Sequence, residues 1–406
     1  MHSLITLFFI LFFVFQSIIA VYFLIPPVFT IIHLIRKWFR FKPAGERFPY
    51  TTDKQFEFGI VVTAHEQTEF IQPLIDSLLK QTYGNFYVYV VADACDISQL
   101  RFSDHRISIL RPEVPLNAKI KSIDFAIKQF QKEHDALIIF DSDNLIHPEF
   151  MQAMNDYFRK GFRAVQADFK PKNTDTVFAR MDAIGDIFNF FLEREMRMEL
   201  GLSSAIWGSG VAIDLKLYKE VVYHHLLGGF DKKLQAHLLE RLPLIAFAKE
   251  AVLYDEKIAN GAALERQRTR WINAQFKYLK LGLSLLKRAI AKGSFNQFYC
   301  AFVTIRPPMF VVVALALAFM IIDFFIAPAA GYWWMVIFSL FVLSFIGIVA
   351  IKAEDKRMLK TIFFMPLFMM RQTLALLKIS KANKSFLKTR HSKVVFIDEV
   401  LQNRSA

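Results

Sequence analysis

The sequence predicts an α/β domain with a mostly parallel sheet, flanked on both sides by transmembrane helices. Between residues 50 and 290, short apolar segments alternate with segments of helical character, which is typical of a parallel sheet with connecting helices. Apolar runs long enough to cross a bilayer lie before this region, at residues 4–35, and after it, at residues 307–327 and 332–351. The chain therefore divides into an N-terminal membrane anchor with an interfacial segment (1–42), a central domain (50–290), a second membrane region (291–380) and a basic cytoplasmic tail (381–406).

The composition agrees with a membrane protein whose central part is globular. The 406 residues are 54% hydrophobic, include 44 Phe and carry a net charge of +13. Because the basic residues flank apolar segments, this charge favours anionic lipid headgroups and an anionic nucleotide over nucleic acid. Cys95 and Cys300 are the only cysteines in the sequence, so no disulfide framework is implied and a reducing compartment is the simplest interpretation.

The first apolar run predicts a membrane anchor. No basic segment precedes it and no small-residue cleavage site follows it, which favours an anchor over a cleaved signal peptide. Pro26 and Pro27 predict a span to about residue 25, followed by a turn into an interfacial stretch. By the positive-inside rule, the next basic residues place the N-terminus outside and the central domain in the cytoplasm; they are Arg36, Lys37, Arg40 and Lys42.

The central region predicts alternating strands and helices. The predicted strands cover residues 58–63, 86–91, 107–110, 136–140 and 164–168. The predicted helices cover residues 66–81, 119–130 and 148–160.

The two later apolar runs predict a helical hairpin with a short outer loop. Aromatic residues at 332–334 mark the outer end of the second span, and basic residues between 352 and 360 mark its cytoplasmic end. Asp323, near the outer end of the first span, is interpreted as interfacial. Residues 361–377 are apolar but contain a proline and an arginine, which favours a membrane-surface or re-entrant helix over a third C-terminal span.

Two carboxylates, Asp141 and Asp143, stand two residues apart at the carboxyl end of a predicted buried strand. Ligands bind at this edge of open α/β sheets, and two hard oxygen ligands there suit Mg²⁺ or Mn²⁺ carrying a diphosphate. Asp93 follows the second predicted strand, where a carboxylate can bind a base or a ribose hydroxyl, or alternatively cap a turn. Lys119 and Lys121 open the helix before the Asp141 strand, where a cation can neutralise a diphosphate or lie on a solvated helix face. These residues predict a nucleotide diphosphate site.

Two later motifs add polar donors and aromatic rings. A turn that permits close approach of an acceptor to the backbone is formed by Trp207, Gly208, Ser209 and Gly210. A group that can grip phosphate and stack on a sugar or base is formed by Gln267, Arg268, Thr269, Arg270 and Trp271. An ordinary turn and a simple surface helix are the alternative interpretations.

With these motifs in this order, the chain resembles the membrane-integrated branch of family 2 glycosyltransferases, which includes cellulose, chitin and hyaluronan synthases and ceramide glucosyltransferase-like enzymes. The resemblance covers about residues 58–275 and implies a GT-A-type nucleotide-sugar-binding fold. It implies that Asp93 binds the nucleotide and that Asp141 and Asp143 are the DxD motif, which holds the metal and the donor diphosphate. It also implies a Q-x-x-R-W signature that closes over the donor and lines the acceptor entrance, formed by Gln267, Arg270 and Trp271. The turn at 207–210 resembles the family's acceptor-side turn, and residues 164–173 resemble its strand and loop after the DxD motif.

The chain departs from the family at the T-E-D segment, whose Asp is the general base. The corresponding run is 229–240, and Gln235, Ala236 and His237 occupy the T, E and D positions. An imidazole can act as a base near neutral pH, so His237 is a candidate. Glu240 and Asp231 are alternatives if the segment shifts, and His237 as an ordinary packing residue remains open.

Taken together, these features predict an inverting hexosyltransferase that depends on Mg²⁺ or Mn²⁺ and is integral to a membrane of the bacterial inner-membrane type. Its expected ligands are a nucleotide-sugar donor, bound also by Lys119, and a lipid or glycan acceptor, in polysaccharide or glycolipid biosynthesis. A catalytically inactive nucleotide-sugar-binding scaffold and a partner-dependent processive synthase are the alternatives. Three predicted spans are few for a polymer channel, which leads us to expect limited addition, or a protein partner or oligomer.

Overall fold

The structure is a computed structural model that describes residues 2–224, 228–378 and 392–405. The strands are β1 Phe58–His65, β2 Phe86–Asp93, β3 Ile107–Leu110, β4 Ala136–Asp141, β5 Leu145–Ile146, β6 Ala164–Pro171, β7 Val211–Asp214 and β8 Ala246–Asp255. The α-helices are α1 His2–Trp38, α2 Ala44–Arg47, α3 Ile71–Leu79, α4 Lys119–Lys128, α5 Phe150–Arg159, α6 Val177–Phe190, α7 Met196–Glu199, α8 Leu215–Lys219, α9 Phe230–Arg241, α10 Gly261–Lys277, α11 Leu279–Lys292, α12 Phe295–Thr304, α13 Met309–Ile326, α14 Pro328–Lys352, α15 Arg357–Thr361, α16 Met365–Leu377 and α17 Ile397–Ser405. A π-helical turn, Phe191–Glu195, joins α6 to α7, and a 3₁₀ turn, Ile362–Phe364, joins α15 to α16.

The strands form one sheet in the order β3-β2-β1-β4-β7-β6-β8-β5. The β1–β2, β1–β4, β2–β3 and β6–β8 pairs are parallel, and the other three pairs are antiparallel. This confirms the predicted α/β class with a mostly parallel sheet. The sequence reading did not predict β5, β7 and β8, since β5 and β7 are short and β8 is interrupted by the exposed residues Lys249 and Glu250.

The parallel part of the sheet is apolar on both faces because helices cover both sides. Apolar residues of α3 and α5 pack against one face, and those of α4 and α9 pack against the other. The register sets Thr63 opposite Asp141 and His65 opposite Asp93, because β1, β2 and β4 run in the same direction. The two predicted ligand-binding carboxylates Asp93 and Asp141 therefore lie on one edge of the sheet.

In the part of the chain that the structure describes, three helices are long and apolar enough to cross a membrane: α1, α13 and α14. The expected break of the first span at Pro26 and Pro27 is wrong, because α1 continues as one helix to Trp38. Thr30 Oγ1 donates to the Pro26 carbonyl at 2.8 Å, and Phe23 and Phe29 are packed against neighbouring helices. Such local hydrogen bonds and helix packing allow proline inside a membrane helix.

Asp323, expected to be interfacial, has its side chain fully buried between the spans. Gln16 Nε2 of α1 donates to Asp323 Oδ1 of α13 at 3.0 Å, and Trp334 Nε1 of α14 donates to Gln16 Oε1 at 2.9 Å. The Gln16 amide thus joins the three helices, because it can donate and accept at once.

The C-terminal segments pack against the central domain. Helix α16 has 13 residues, fewer than the roughly 20 needed to cross a bilayer. Its Phe368 is buried beside α6 and α10, and its Arg371 Nη1 lies 2.8 Å from Glu265 of α10. Residues 381–391 of the predicted basic tail lie outside the described residues. The part of the tail from residue 392 includes α17, whose Ile397 is buried with Leu145 and Tyr254 at the edge of the sheet.

Candidate active site

The DxD carboxylates lie at the carboxyl end of β4, held by hydrogen bonds to the backbone. The Asp141 N–H donates to Asn144 Oδ1 at 3.0 Å and to Ser209 Oγ at 3.1 Å. Lys172 Nζ donates to the Asp143 carbonyl at 2.8 Å. Asp143 is only 7% exposed, whereas the Asp141 side chain is 43% exposed. The pair therefore presents one buried and one accessible carboxylate in a fixed turn.

Two carboxylates at such an edge fit a hard divalent cation. Mg²⁺ and Mn²⁺ bind a few carboxylates and take their other ligands from substrate phosphates and water. Within the described ranges, no three His, Cys, Asp or Glu side chains form a ready metal cage. Lys119 Nζ pairs with Asp141 Oδ1, so the Asp141 carboxylate already faces positive charge. This donor set suits an ion that is carried in with a diphosphate.

Asp93 is 2% exposed and holds the loop that leads into α4. Its Oδ1 accepts from the Leu116 N–H at 2.7 Å, and its Oδ2 accepts from the Asn117 N–H at 2.9 Å. His65 Nδ1 lies 2.9 Å from the same Oδ2. The structure therefore shows Asp93 positioning the loop before Lys119, while direct contact of its carboxylate with a nucleotide stays a prediction.

The turn at 207–210 is clamped by Gln166, a fully buried residue of β6. Gln166 Oε1 accepts from the Trp207 N–H at 2.8 Å, and its Nε2 donates to the Ser209 and Gly210 carbonyls at 3.1 Å each. Gly210 has a φ of +60°, which favours glycine. Gln166 was not predicted from the sequence, although an amide between apolar residues near the start of β6 was a usable signal. The clamp sets the turn beside the DxD motif.

Helix α10 brings the Q-x-x-R-W residues to the same place. Burial lowers the pKa of the Arg270 guanidinium, and the nearby Asp141 carboxylate opposes this shift. The Trp271 ring lies 6.0 Å from the Trp207 ring, centroid to centroid. Gln267 Oε1 is buried and has no hydrogen-bond partner among the described residues. An orphaned buried acceptor at this position is available to a ligand that carries a donor.

Arg268, which lies between Gln267 and Arg270 in the sequence, contacts α6 instead. Arg268 pairs with Asp182 of α6, and its guanidinium carbon stacks 4.2 Å from the Trp271 ring centroid. Nearby, the buried Lys257 Nζ lies 2.5 Å from Asp186 and 2.6 Å from Asp255. These ion pairs fasten α6 to α10 and to the segment after β8. The sequence analysis missed them, and the polar run 255–257 directly after an apolar strand was the available signal.

The first turn of α9, which includes the candidate base Asp231, lies next to this assembly. Helix α9 begins with Phe230, whose ring centroid lies 5.8 Å from Lys119 Nζ. The same ring lies beside Gly208, since a Cβ atom added to Gly208 would be only 3.1 Å from the Phe230 ring. Gly229, at a φ of +71°, abuts Ala274 of α10 and Tyr278, the residue directly after α10. The first turn of α9, including Asp231, thus lies between the turn at 207–210 and α10.

His237 and Glu240 face other partners. His237 Nε2 lies 3.9 Å from Glu220, and burial, followed by the charge of Arg241, lowers the pKa of the imidazole. Glu240 pairs with Arg288 of α11. The contacts of these two side chains do not include the DxD or Q-x-x-R-W residues. Their role as base stays a prediction.

Comparisons with known proteins agree with this arrangement. The sequence model of the family described as "Glycosyltransferase like family 2" matches residues 55–274, more than half of the chain. No curated protein sequence matches. Among solved structures, the mannosyltransferase PcManGT from Pyrobaculum calidifontis, in complex with GDP-Man and Mn²⁺, is similar with a TM-score of 0.54 at 14% identity, over 89% of this chain and 97% of that chain. S. aureus TarS 1–349, in complex with UDP, has a TM-score of 0.40 at 15% identity, over 57% of this chain and 65% of that chain.

Proposed function

Because the chain belongs to glycosyltransferase family 2 and is a glycosyltransferase, we propose that it moves a sugar, with inversion, from a nucleotide-diphospho-sugar to a lipid or glycan acceptor at the cytoplasmic membrane face. One observation carries this proposal. The DxD carboxylates, Arg270 and the facing rings of Trp207 and Trp271 meet at one edge of the sheet.

The residues at this edge divide into donor-side and acceptor-side groups. Asp143, with Asp141 in support, would hold a Mg²⁺ or Mn²⁺ ion, which when bound would neutralise negative charge on the diphosphate leaving group. Lys119 and Arg270 bind the diphosphate as cations, and Gln267 offers its free amide oxygen to the donor. Trp271 stacks on the sugar beside Trp207, and the turn at 207–210 receives the acceptor. Asp93 acts through the loop that it holds.

The first turn of α9 supplies the proton acceptor. We assign the base to Asp231, since it follows Phe230, which contacts Gly208 and Lys119. A carboxylate within reach of the acceptor hydroxyl removes its proton as the oxygen attacks the anomeric carbon from the face opposite the leaving group. His237 and Glu240 remain the alternatives, and both lie farther along the helix.

Limited addition fits the membrane region better than secretion of a polymer. Among the described residues, three helices are long and apolar enough to cross a bilayer, and all three pack together around Gln16 and other buried side chains. A channel for a polysaccharide therefore requires further helices from a partner or a second copy. This separates the chain from a self-contained cellulose, chitin or hyaluronan synthase.

A donor screen with membranes that contain the full-length protein tests this function. We expect one nucleotide sugar to release nucleoside diphosphate in the presence of Mg²⁺ or Mn²⁺. A chelator should abolish this release. GDP-mannose with Mn²⁺ is the first donor to try, because it is bound in the similar Pyrobaculum enzyme. Intact donor binding without turnover across donors and acceptors would favour an inactive scaffold instead.

The proposed sidedness gives a labelling prediction. Cys95 and Cys300 are both buried, so an impermeant thiol reagent has little background. Lys249 is exposed in the central domain, and Ala329 is exposed near the turn between α13 and α14. In intact cells we expect Ala329→Cys to react and Lys249→Cys to react only after permeabilisation. Labelling of Lys249→Cys from outside would contradict the cytoplasmic placement of the domain.

A further inference from the structure

The C-terminal segment, residues 392–405, lies along the edge of the sheet beside the DxD motif. Leu145 of β5 directly follows the DxD loop, residues 142–144, and β5 stands at one end of the strand order. Ile397 of α17 is fully buried and packs with Leu145 and with Tyr254, the residue that pairs with Leu145 on β8. Helix α17 therefore covers the strand into which the DxD loop leads.

The start of the C-terminal segment is held by Glu256, which directly follows β8 and is 8% exposed. Its Oε1 accepts a hydrogen bond from the Ser392 N–H at 2.9 Å, and its Oε2 accepts one from the Lys393 N–H at 3.2 Å. Hydrogen bonds to a carboxylate are stronger than those between neutral groups. The next residue, Lys257, lies 2.6 Å from Asp255, so the attachment is adjacent to the buried ion pairs behind the candidate site.

The end of the C-terminal segment is held by Arg404. Its Nη2 donates to the Pro171 carbonyl at 2.8 Å, and its guanidinium pairs with Glu354, which lies just after the membrane helix α14. Pro171 directly precedes Lys172, whose Nζ donates to the Asp143 carbonyl at 2.8 Å. Arg404 therefore fixes the backbone beside the lysine that holds the DxD loop.

The loop 172–175, which follows β6, contacts both the DxD loop and the C-terminal segment. Its first residue, Lys172, holds the DxD loop, and Asp175 Oδ2 at its other end lies 2.7 Å from Lys393 Nζ. Between them, Asn173 Oδ1 accepts a backbone hydrogen bond at 2.8 Å from the segment after β8. Because both groups of the ion pair are exposed, that pair contributes little to the free energy of unfolding. The coupling depends instead on the packing and the hydrogen bonds of α17.

We propose that Ile397 and Arg404 are positioning residues that keep the DxD loop in the conformation that receives a divalent cation. The inference rests on the proposed function, because it takes Asp143 as the main ligand of that cation. Ile397 acts on Leu145, directly after the loop, and Arg404 acts through Pro171 and the lysine that follows it. Residues that orient a metal ligand without touching the metal typically change metal affinity by about 10- to 100-fold.

Hydrogen exchange of the metal-free, full-length protein is the first test. In Ile397→Ala, we expect the amides of residues 143–147 to exchange at least about tenfold faster than in wild type, because α17 loses its packing against β5. Residues 86–93, which form β2 near the other end of the sheet, should keep their wild-type exchange. Arg404→Gln should act in the same direction. Its side chain is partly exposed, so this variant serves if Ile397→Ala does not fold.

Nucleotide binding is the second test. Calorimetry with GDP and with UDP, each in the presence of Mn²⁺, identifies the nucleotide that wild type binds. We expect Ile397→Ala and Arg404→Gln each to weaken this Mn²⁺-dependent binding by about tenfold. Binding of the same nucleotide in the presence of a chelator should stay as in wild type. A purely structural role would lower the melting temperature and leave the metal dependence unchanged.

Two variants of the same segment serve as controls. Phe396→Ala removes an apolar side chain that is 38% exposed, and it should match wild type in both tests. Ile397→Val keeps a branched side chain against Leu145, and it should restore most of the protection and of the nucleotide affinity that Ile397→Ala loses.

Faster exchange that is confined to residues 392–405, or that spreads through the whole sheet, would overturn the proposal. Wild-type Mn²⁺ dependence in both Ile397→Ala and Arg404→Gln would overturn it as well. If wild type binds neither nucleotide, the proposed donor site has failed, and the exchange of residues 143–147 alone decides whether the C-terminal segment holds the DxD loop.

Discussion

Asp143→Asn is expected to reduce sugar transfer by about a thousandfold or more while the protein still folds. Asp143 is the buried member of the DxD pair, and its carboxylate is the main proposed ligand of the divalent cation. The amide keeps the size of the side chain but loses the negative charge that a hard cation requires. The variant should therefore also lose the metal dependence of nucleotide binding, measured by calorimetry with and without Mn²⁺.

A matched variant separates this effect from a general loss of charge. Asp124 lies on the exposed face of α4, where its Oδ2 lies 2.7 Å from Lys128 Nζ. Asp124→Asn should retain the wild-type rate, since surface ion pairs contribute little. Wild-type transfer in Asp143→Asn would show that the metal is held elsewhere.

Asp231→Asn is expected to lower turnover by about two to four orders of magnitude, the range for loss of a general base. Donor binding should change little, because the base acts on the acceptor. His237→Ala should retain most of the activity, since the imidazole faces Glu220 and Arg241 and not the DxD motif. Steady-state rates and nucleotide affinities of the two variants, measured side by side, check both expectations.

The reverse result would restore the first assignment from the sequence. A collapse of turnover in His237→Ala, with wild-type rates in Asp231→Asn, would mean that α9 rotates or shifts when the acceptor binds. Glu240→Gln is the third arm of this experiment. Because Glu240 pairs with Arg288 at the surface, we expect the Glu240→Gln variant to be active.

Much of the fold could be predicted because its signals are local. The strand that ends at Asp141 is an uninterrupted apolar run, and burial on both faces explains why. The DxD, Q-x-x-R-W and turn residues could be named from their motifs and from the family resemblance, and the structure brings them together. The membrane helices followed from length and apolarity in the same way.

The remaining features depend on contacts between distant segments. Local rules predicted a helix break at Pro26, but α1 packs against the other spans and continues to Trp38. Local rules also predicted an interfacial Asp323 and could not show that Gln16 of α1 donates a hydrogen bond to its carboxylate. Which residue is the base stays a prediction. The proximity of Phe230 to Gly208, which depends on the fold, is the observation that favours the first turn of α9.

The most direct test of the central claim is a structure of the full-length protein with Mn²⁺ and the nucleotide sugar found in the donor screen. The proposed mechanism predicts density for the metal between Asp143 and the diphosphate, with the sugar between Trp207 and Trp271. It also predicts that the anomeric carbon faces Asp231 on the side opposite the leaving group. A diphosphate bound away from the DxD motif, or an anomeric carbon that faces away from the first turn of α9, would contradict it.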